Sequence, residues 1–355
     1  MSTKGRWLLI FGIIALVGAI LFGVTVAAFG VQDGNYGISI GGTDLGIFKG
    51  GLFNVGSFIP GNAGIHFRNG YTNYDFEFEQ SKEYTMDFQA DDLKNIEIGL
   101  MACHADIVCS DTDKVSLSYT TGSSRVSFSA ELEGEDLVIK EKNGSWFNIG
   151  STLHSTLKLS LPEKQYKKVK LDLASGKIVS NNLVSAELGA DLASGSMELG
   201  AFADAIDIDV ASGKMILQNC SSETVQSVNI DTASGSVEMT GYRATNTKID
   251  LASGSVQLND ISGNVNASLA SGKVVLGYAE WNGDLSVDLA SGKADITLPA
   301  GSGANVNFER LSGSMNLDLD GQSSKLSGNS TVTVGGANVH DIRGHVLSGS
   351  IYVHN

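Results

Sequence analysis

The stretch Ile249-Asp250-Leu251-Ala252-Ser253-Gly254-Ser255-Val256-Gln257-Leu258 decides the fold. Apolar side chains stand at every second position on both sides of Ala-Ser-Gly, which is the alternation of strands with one buried face. The tripeptide between them is small, and its glycine accepts a backbone that a residue with a Cβ resists. The stretch therefore predicts strand, corner, strand.

The same phrase, Ala-Ser-Gly or Leu-Ser-Gly, recurs with glycines at Gly176, Gly195, Gly213, Gly235, Gly254, Gly272, Gly292, Gly313 and Gly349. The first seven gaps are 19, 18, 22, 19, 18, 20 and 21 residues. Positions five and three before the glycine are mostly apolar, as in Val287 and Leu289, and so are positions two and four after it, as in Val237 and Met239. One such unit cannot bury its own apolar face, whereas stacked units can. The expected fold is all-β: a single-stranded β-helix-like solenoid of ~19–20-residue rungs, preceded by one N-terminal transmembrane helix.

The repeat also lines up polar columns. Four residues before the glycine stand Asp172, Asp191, Asp209, Asp231, Asp250, Ser268, Asp288 and Glu309; one residue after it stand Lys177, Ser196, Lys214, Ser236, Ser255, Lys273, Lys293, Ser314 and Ser350. Stacking turns these into a ladder of carboxylates and a ladder of lysines and serines. Neighbouring carboxylates repel by ~1 kcal/mol in water at rung spacing, which a solvated face tolerates. Asp191, Asp209, Asp231, Asp250, Lys214, Lys273 and Lys293 are the expected interaction face. A cation-binding stripe and a catalytic carboxylate cluster are the competing readings of the same column.

The chain has 355 residues, 43 glycines, 3 prolines and a net charge of −15. Glycine with so little proline fits many tight corners. The acidic balance argues against nucleic acid and against docking on anionic lipid. Three cysteines, Cys103, Cys109 and Cys220, make no disulfide framework. Cys103 and Cys109 bracket a short segment and could pair or bind a metal with His104; buried small hydrophobes is the plainer reading.

Trp7 to Phe29 is 23 residues without a charge, long enough to span a bilayer as a helix. Lys4 and Arg6 precede it and Asp33 is the first charge after it, so the positive-inside rule puts the N-terminus in the cytoplasm and the rest outside. Cleavage near Val26-Ala27-Ala28 is the alternative, giving a secreted protein. The expected domains are a signal anchor over 1–30, a Gly-rich spacer over 31–70, irregular β-strand coils forming an N-terminal cap over 71–170, and the repetitive solenoid with a C-terminal cap over 171–355. The stretch after Gly313, with its weak Leu326-Ser327-Gly328 copy, is the expected far cap. Caps are required because an open strand edge invites pairing.

With Leu159-Ser160-Leu161-Pro162, Tyr166 to Val169, and Leu171-Asp172-Leu173-Ala174-Ser175-Gly176 and its successors in view, the chain resembles the bacterial putative-adhesin family, a domain of unknown function also called Toastrack. The resemblance covers roughly residues 92–355. It implies a β-helix-like solenoid on the outer side of a bacterial envelope, in sensing or interaction modules of envelope stress responses or in surface attachment. It implies no catalytic residues.

The residues themselves point the same way. His66, His104, His154, His340, His345 and His354 fall in no nucleophile or metal motif, and there is no phosphate loop. A polysaccharide-acting enzyme needs two singled-out carboxylates, and a regular column singles out none. A calcium site needs several oxygens, while each rung supplies one carboxylate. The expectation is a non-enzymatic, membrane-anchored extracellular module with no cofactor and no metal. Its partners are the membrane, an envelope protein or cell-wall polymer, or a second copy of itself.

Overall fold

In the computed structural model the described residues are 39–40, 43–44, 82–89, 92–122, 126–143, 155–221, 223–326 and 328–355. The apolar segment Trp7–Phe29, most of the Gly-rich stretch, His66 and His154 lie outside them. No helix among the described residues is long and apolar enough to cross a membrane. The chain divides into two compact units, Met1–Gln80 and Ser81–Asn355. The first contributes two short antiparallel strands, β1 (Ser39–Ile40) and β2 (Thr43–Asp44).

The second unit is all-β. Its strands are β3 (Lys82–Gln89), β4 (Asn95–Ser110), β5 (Lys114–Thr121), β6 (Val126–Glu133), β7 (Asp136–Asn143), β8 (Ser155–Pro162), β9 (Gln165–Asn219), β10 (Val225–Thr232), β11 (Ser236–Thr240), β12 (Arg243–Leu251), β13 (Ser255–Leu269), β14 (Lys273–Tyr278), β15 (Leu285–Leu289), β16 (Lys293–Thr297), β17 (Ser302–Arg310), β18 (Ser314–Leu319), β19 (Gln322–Leu326), β20 (Ser330–Val334), β21 (Ala337–Val346) and β22 (Ser350–His354). Each copy of the repeat contributes one leg before the corner and one after it, and equivalent legs pair in parallel. Before the corner, Asp231 of β10 registers with Asp209 of β9 and with Asp250 of β12. After it, Val237 of β11 registers with Met215 of β9 and with Val256 of β13. This is the pairing of a β-solenoid.

The inward residues make one continuous core. Ile249, Leu251, Val256 and Leu258 are all at most 2 % exposed, and their equivalents on neighbouring rungs lie above and below them. The corners stack glycine on glycine. A Cβ on Gly254 would stand 2.2 Å from the Gly235 carbonyl oxygen, and its φ of +151° is one that L side chains rarely adopt. Gly213 and Gly235 are required for space alone: their φ is not positive, but a Cβ on Gly235 would meet Val210 at 2.4 Å.

Backbone bonds tie each corner to the one beneath: Ala252 N–H donates to the Thr232 carbonyl (2.9 Å), Ser253 to Ala233 (2.7 Å) and Ser255 to Gly235 (3.1 Å). The parallel ladder starts earlier than the repeat. Asn95–Val108 of β4 registers with Lys168–Asn181 of β9, so β4 is a full rung within the region read as cap, with Cys103 in the glycine position. Below its corner, among the described residues, the carboxylate of Glu141, 1 % exposed, accepts from Met101 N–H (2.8 Å) and Ala102 N–H (3.0 Å), while Tyr119 Oη donates to it at 2.7 Å. A side chain thus supplies the acceptors that a preceding rung's carbonyls supply elsewhere. β7 and β8 still pair with β4 in parallel; beyond them the cap turns antiparallel, β6 on β7, and β5 on both β8 and β3.

At the other end the rungs do not stack in chain order. The last copy, β21–β22 with Gly349, lies between β15–β16 (Gly292) and β17–β18 (Gly313). The corner bonds confirm this order: Ser350 N–H donates to Gly292 (3.0 Å) and Ser314 N–H to Gly349 (3.0 Å). The expectation that everything after Gly313 is cap is corrected accordingly. Among the described residues, β19 and β20, antiparallel on β18 and β17, end the stack.

Candidate functional site

On the leg before the corner, the positions four, six and eight residues ahead of the glycine point outward. The first forms a column in the spatial order Asp172, Asp191, Asp209, Asp231, Asp250, Ser268, Asp288, His345, Glu309. The carboxylates are half-buried rather than freely solvated: the Asp172, Asp191 and Asp250 side chains are 14 %, 24 % and 28 % exposed. Burial, with like charges above and below, raises the proton affinity of Asp172, Asp209 and Asp231. Asp209 is pushed up to about 7, first by burial and then by Asp191, Asp231 and Asp207. Asp172 is pushed up to about 6, first by burial and then by its hydrogen bond with Asp191. Asp231 is raised by burial and Asp250.

The cations that relieve this column are not the lysines beside the corner. Lys170 Nζ bridges Asp172 (3.0 Å) and Asp191 (3.4 Å), and Lys248 pairs with Asp250. Both stand two residues earlier on the same strand face, where alternation makes them neighbours. Lys214 and Lys293 pair instead with Glu238 (3.9 Å) and Asp295 (3.2 Å) on their own leg, as Lys177 does with Glu198 (2.8 Å). Lys273 stands between Ser255 and Lys293 in that second ladder. Among the described residues no ion pair joins the carboxylate column to the corner lysines, so the seven residues of the expected face lie on two legs separated by the bend.

The six- and eight-back columns carry amides. Asn229, Lys248, Asn266, Ser286 and Arg343 follow one another, beside Ser227, Asn246, Asn264, Asp284 and Asp341. Asn264 Nδ2 donates to Asn246 Oδ1 (3.2 Å), and Asn264 Oδ1 accepts from Asp284 N–H (2.9 Å). All of these residues but Asp341 line a groove of about 420 Å³ crossing the rungs, with Lys248 and Arg343 among its walls. Sequence reading ranked the charged column first and passed over these amides. The signal was present at the same spacing, in Asn229, Asn246, Asn264 and Asn266.

Three histidines of the inserted rung each meet an aspartate of the β15–β16 rung. His345 Nδ1 lies 2.6 Å from Asp288, His354 Nε2 lies 3.2 Å from Asp295, and His340 Nδ1 lies 3.8 Å from Asp284. His345 also stands 3.8 Å from Glu309 on the far side. Chain order hides these contacts, because 57 residues separate His345 from Asp288.

Cys103 and Cys109 are buried free thiols, and burial pushes Cys109 up to about 12. His104, between them, points to the opposite face and pairs with Asp106 (3.4 Å), so strand alternation separates it from both thiols. Among the described residues no group of His, Cys, Asp or Glu is arranged to hold a metal ion.

The Toastrack DUF4097 family model matches residues 93–354. No curated protein matches the chain. Similar solved structures include a putative cell adhesion protein of Clostridium sporogenes, 12 % identical over 78 % of this chain and 99 % of that one, with a TM-score of 0.22. Others are putative adhesins of Bacteroides fragilis (11 % identity, 76 % and 97 % covered, TM-score 0.36) and Parabacteroides distasonis (13 %, 77 % and 97 %, 0.43). At these identities and scores the likeness says nothing about what this chain binds.

Proposed function

We propose that this chain, which belongs to the Toastrack DUF4097 family, is a non-enzymatic, membrane-anchored module on the outer face of a bacterial envelope that holds an extended cell-wall polymer on its amide face. The groove of Asn229, Asn246, Asn264 and Asn266 carries this reading. Its side chains repeat at the spacing of parallel strands, ~4.8 Å, so a ligand built of repeating polar units meets the same donors and acceptors on successive rungs. An amide supplies both donor and acceptor and carries no charge, which suits hydroxyl and acetamido groups.

A non-enzymatic role is supported by the regularity of the carboxylates. Asp209 holds its proton unusually well, but its causes are burial and stacked neighbours, which belong to the repeat as a whole. Glycoside hydrolysis requires two carboxyls with different tasks at a defined separation. The anchor is supported by Trp7–Phe29 and the flanking charges.

The test is co-sedimentation of the full chain, in detergent, with purified insoluble cell wall, compared with an Asn246→Ala/Asn264→Ala variant. The expected outcome is pelleting of the wild type and a several-fold loss in the variant at unchanged melting temperature. Equal pelleting of both proteins, or crosslinking in intact cells to a membrane protein with no wall recovered, overturns the polymer reading.

A further inference from the structure

We propose that the inserted rung, β21–β22, is a strand-exchange element, and that the slot it fills can take the same rung from a second copy of this chain. Three independent features of the fold lead here, and none depends on the polymer reading.

The first is topology. β21 pairs in parallel with β15 on one side and β17 on the other, and β22 does so with β16 and β18. Among the described residues no backbone pairing joins β15 to β17 or β16 to β18, so this rung alone bridges the two. It follows β17–β20 in the chain yet lies inside them in space. The segment can enter only where its two neighbours leave a gap, and that gap is a slot with donors and acceptors on both walls.

The second is recognition. The slot reads features that every copy of this chain carries. Gly349 stacks between Gly292 and Gly313, Ile351 registers with Ala294 and Met315, and His345 and His354 meet Asp288 and Asp295. A rung donated by a second copy makes these same contacts. In such an exchange the closed and swapped forms differ chiefly at the hinge.

The third is the hinge. The chain passes from β20, on one side of β17, to β21, on the other, through Gly335 and Gly336 alone. The crossing is tight: a Cβ on Gly336 would lie 2.6 Å from Gly303 N and 2.7 Å from Gly301 O, and one on Gly303 would lie 3.0 Å from Gly336 N. A short connection packed this closely is the kind that opens into an exchanged dimer when strained. In the swapped form this connection extends, and the crossing over Gly303 is no longer required of a single chain.

The experiment uses two differently tagged full-length chains co-expressed in one cell, both carrying Cys220→Ser to remove the exposed thiol. One carries Lys293→Cys and the other Ser350→Cys. These two positions are register partners across the β16–β22 ladder, and adjacent strands bring their Cα atoms within disulfide range. The expected result on oxidation is a disulfide-linked heterodimer several-fold above the pair Lys293→Cys with Ser236→Cys, which stand rungs apart. Gly336→Ala in both chains is expected to raise the heterodimer further, by straining the closed crossing. Both cysteines placed in one chain should close within that chain. A heterodimer no higher than the control pair, while the single-chain disulfide closes, overturns the proposal. Failure of the single-chain pair to close overturns the register on which it stands.

Discussion

Asp209→Asn should stabilise the protein at alkaline pH and leave it nearly unchanged in acid. Asp209 sits in the middle of five stacked aspartates, with Asp191 below and Asp231 above. At a rung spacing of ~4.8 Å, each neighbour repels its charge by ~1 kcal/mol in water and ~3–4 kcal/mol at the effective dielectric of a protein surface. Lys170 and Lys248 serve Asp172, Asp191 and Asp250, leaving Asp209 the most strained anion of the set. Its carboxyl is pushed from 3.8 to about 7, first by burial and then by these neighbouring charges. At 1.36 kcal/mol per pH unit that displacement is about 4 kcal/mol, and solvent screening of a half-buried group reduces it to about 1–2 kcal/mol. The sign follows from proton binding. Between about pH 4 and 7 the folded state holds a proton that the unfolded chain has released, so stability falls as pH rises through that window and stays low above it. Asparagine keeps the shape and removes the charge. Urea unfolding of wild type and Asp209→Asn in detergent at pH 8 should therefore differ by about 1–2 kcal/mol in favour of the variant, closing to within about 0.5 kcal/mol at pH 4. A gap of equal size at both pH values, or a variant less stable at pH 8, would refute the reasoning.

Three other substitutions probe the core, the cap and the corner. Thr232 occupies a core position between Val210 and Leu251, 2 % exposed, with its hydroxyl unpartnered. Thr232→Val should add about 1–2 kcal/mol, seen as a higher melting temperature. Glu141→Ala removes the acceptor of Met101 N–H, Ala102 N–H and Tyr119 Oη. It should cost about 3–5 kcal/mol and abolish exchange protection at those two amides first, while the amides of the Gly254 rung keep theirs. Gly254→Val meets the Gly235 carbonyl oxygen at 2.2 Å on a left-handed backbone. It should cost at least about 3 kcal/mol in the same urea assay, and a loss under 1 kcal/mol would contradict the stacked-corner geometry.

The amino-acid sequence by itself determined the unit. Ile249 and Leu251 before Ala252-Ser253-Gly254, and Val256 and Leu258 after it, are enough to set strand, corner, strand and which side chains go inward, because alternation and the left-handed glycine are local properties of the backbone. The nine corner glycines, the strand faces and the carboxylate column were all legible in this way. What surrounds each unit was not. Every rung offers its neighbours the same apolar face and the same backbone edge, so no local signal says that Gly349 belongs between Gly292 and Gly313 rather than after them. Long-range pairing and the tight crossing at Gly303 and Gly336 settle that order. Contacts that depend on it, such as His345 with Asp288 and Glu309, stay hidden in the chain for the same reason. So does the pairing of the aspartates with Lys170 and Lys248 rather than with the corner lysines, since the bend at Ala-Ser-Gly turns one column away from the other. Glu141 is the clearest case: an ordinary charged residue near the end of a hairpin becomes the acceptor for the Met101 and Ala102 amides only because the tertiary fold lays β7 alongside β4, where those backbone donors must find a partner.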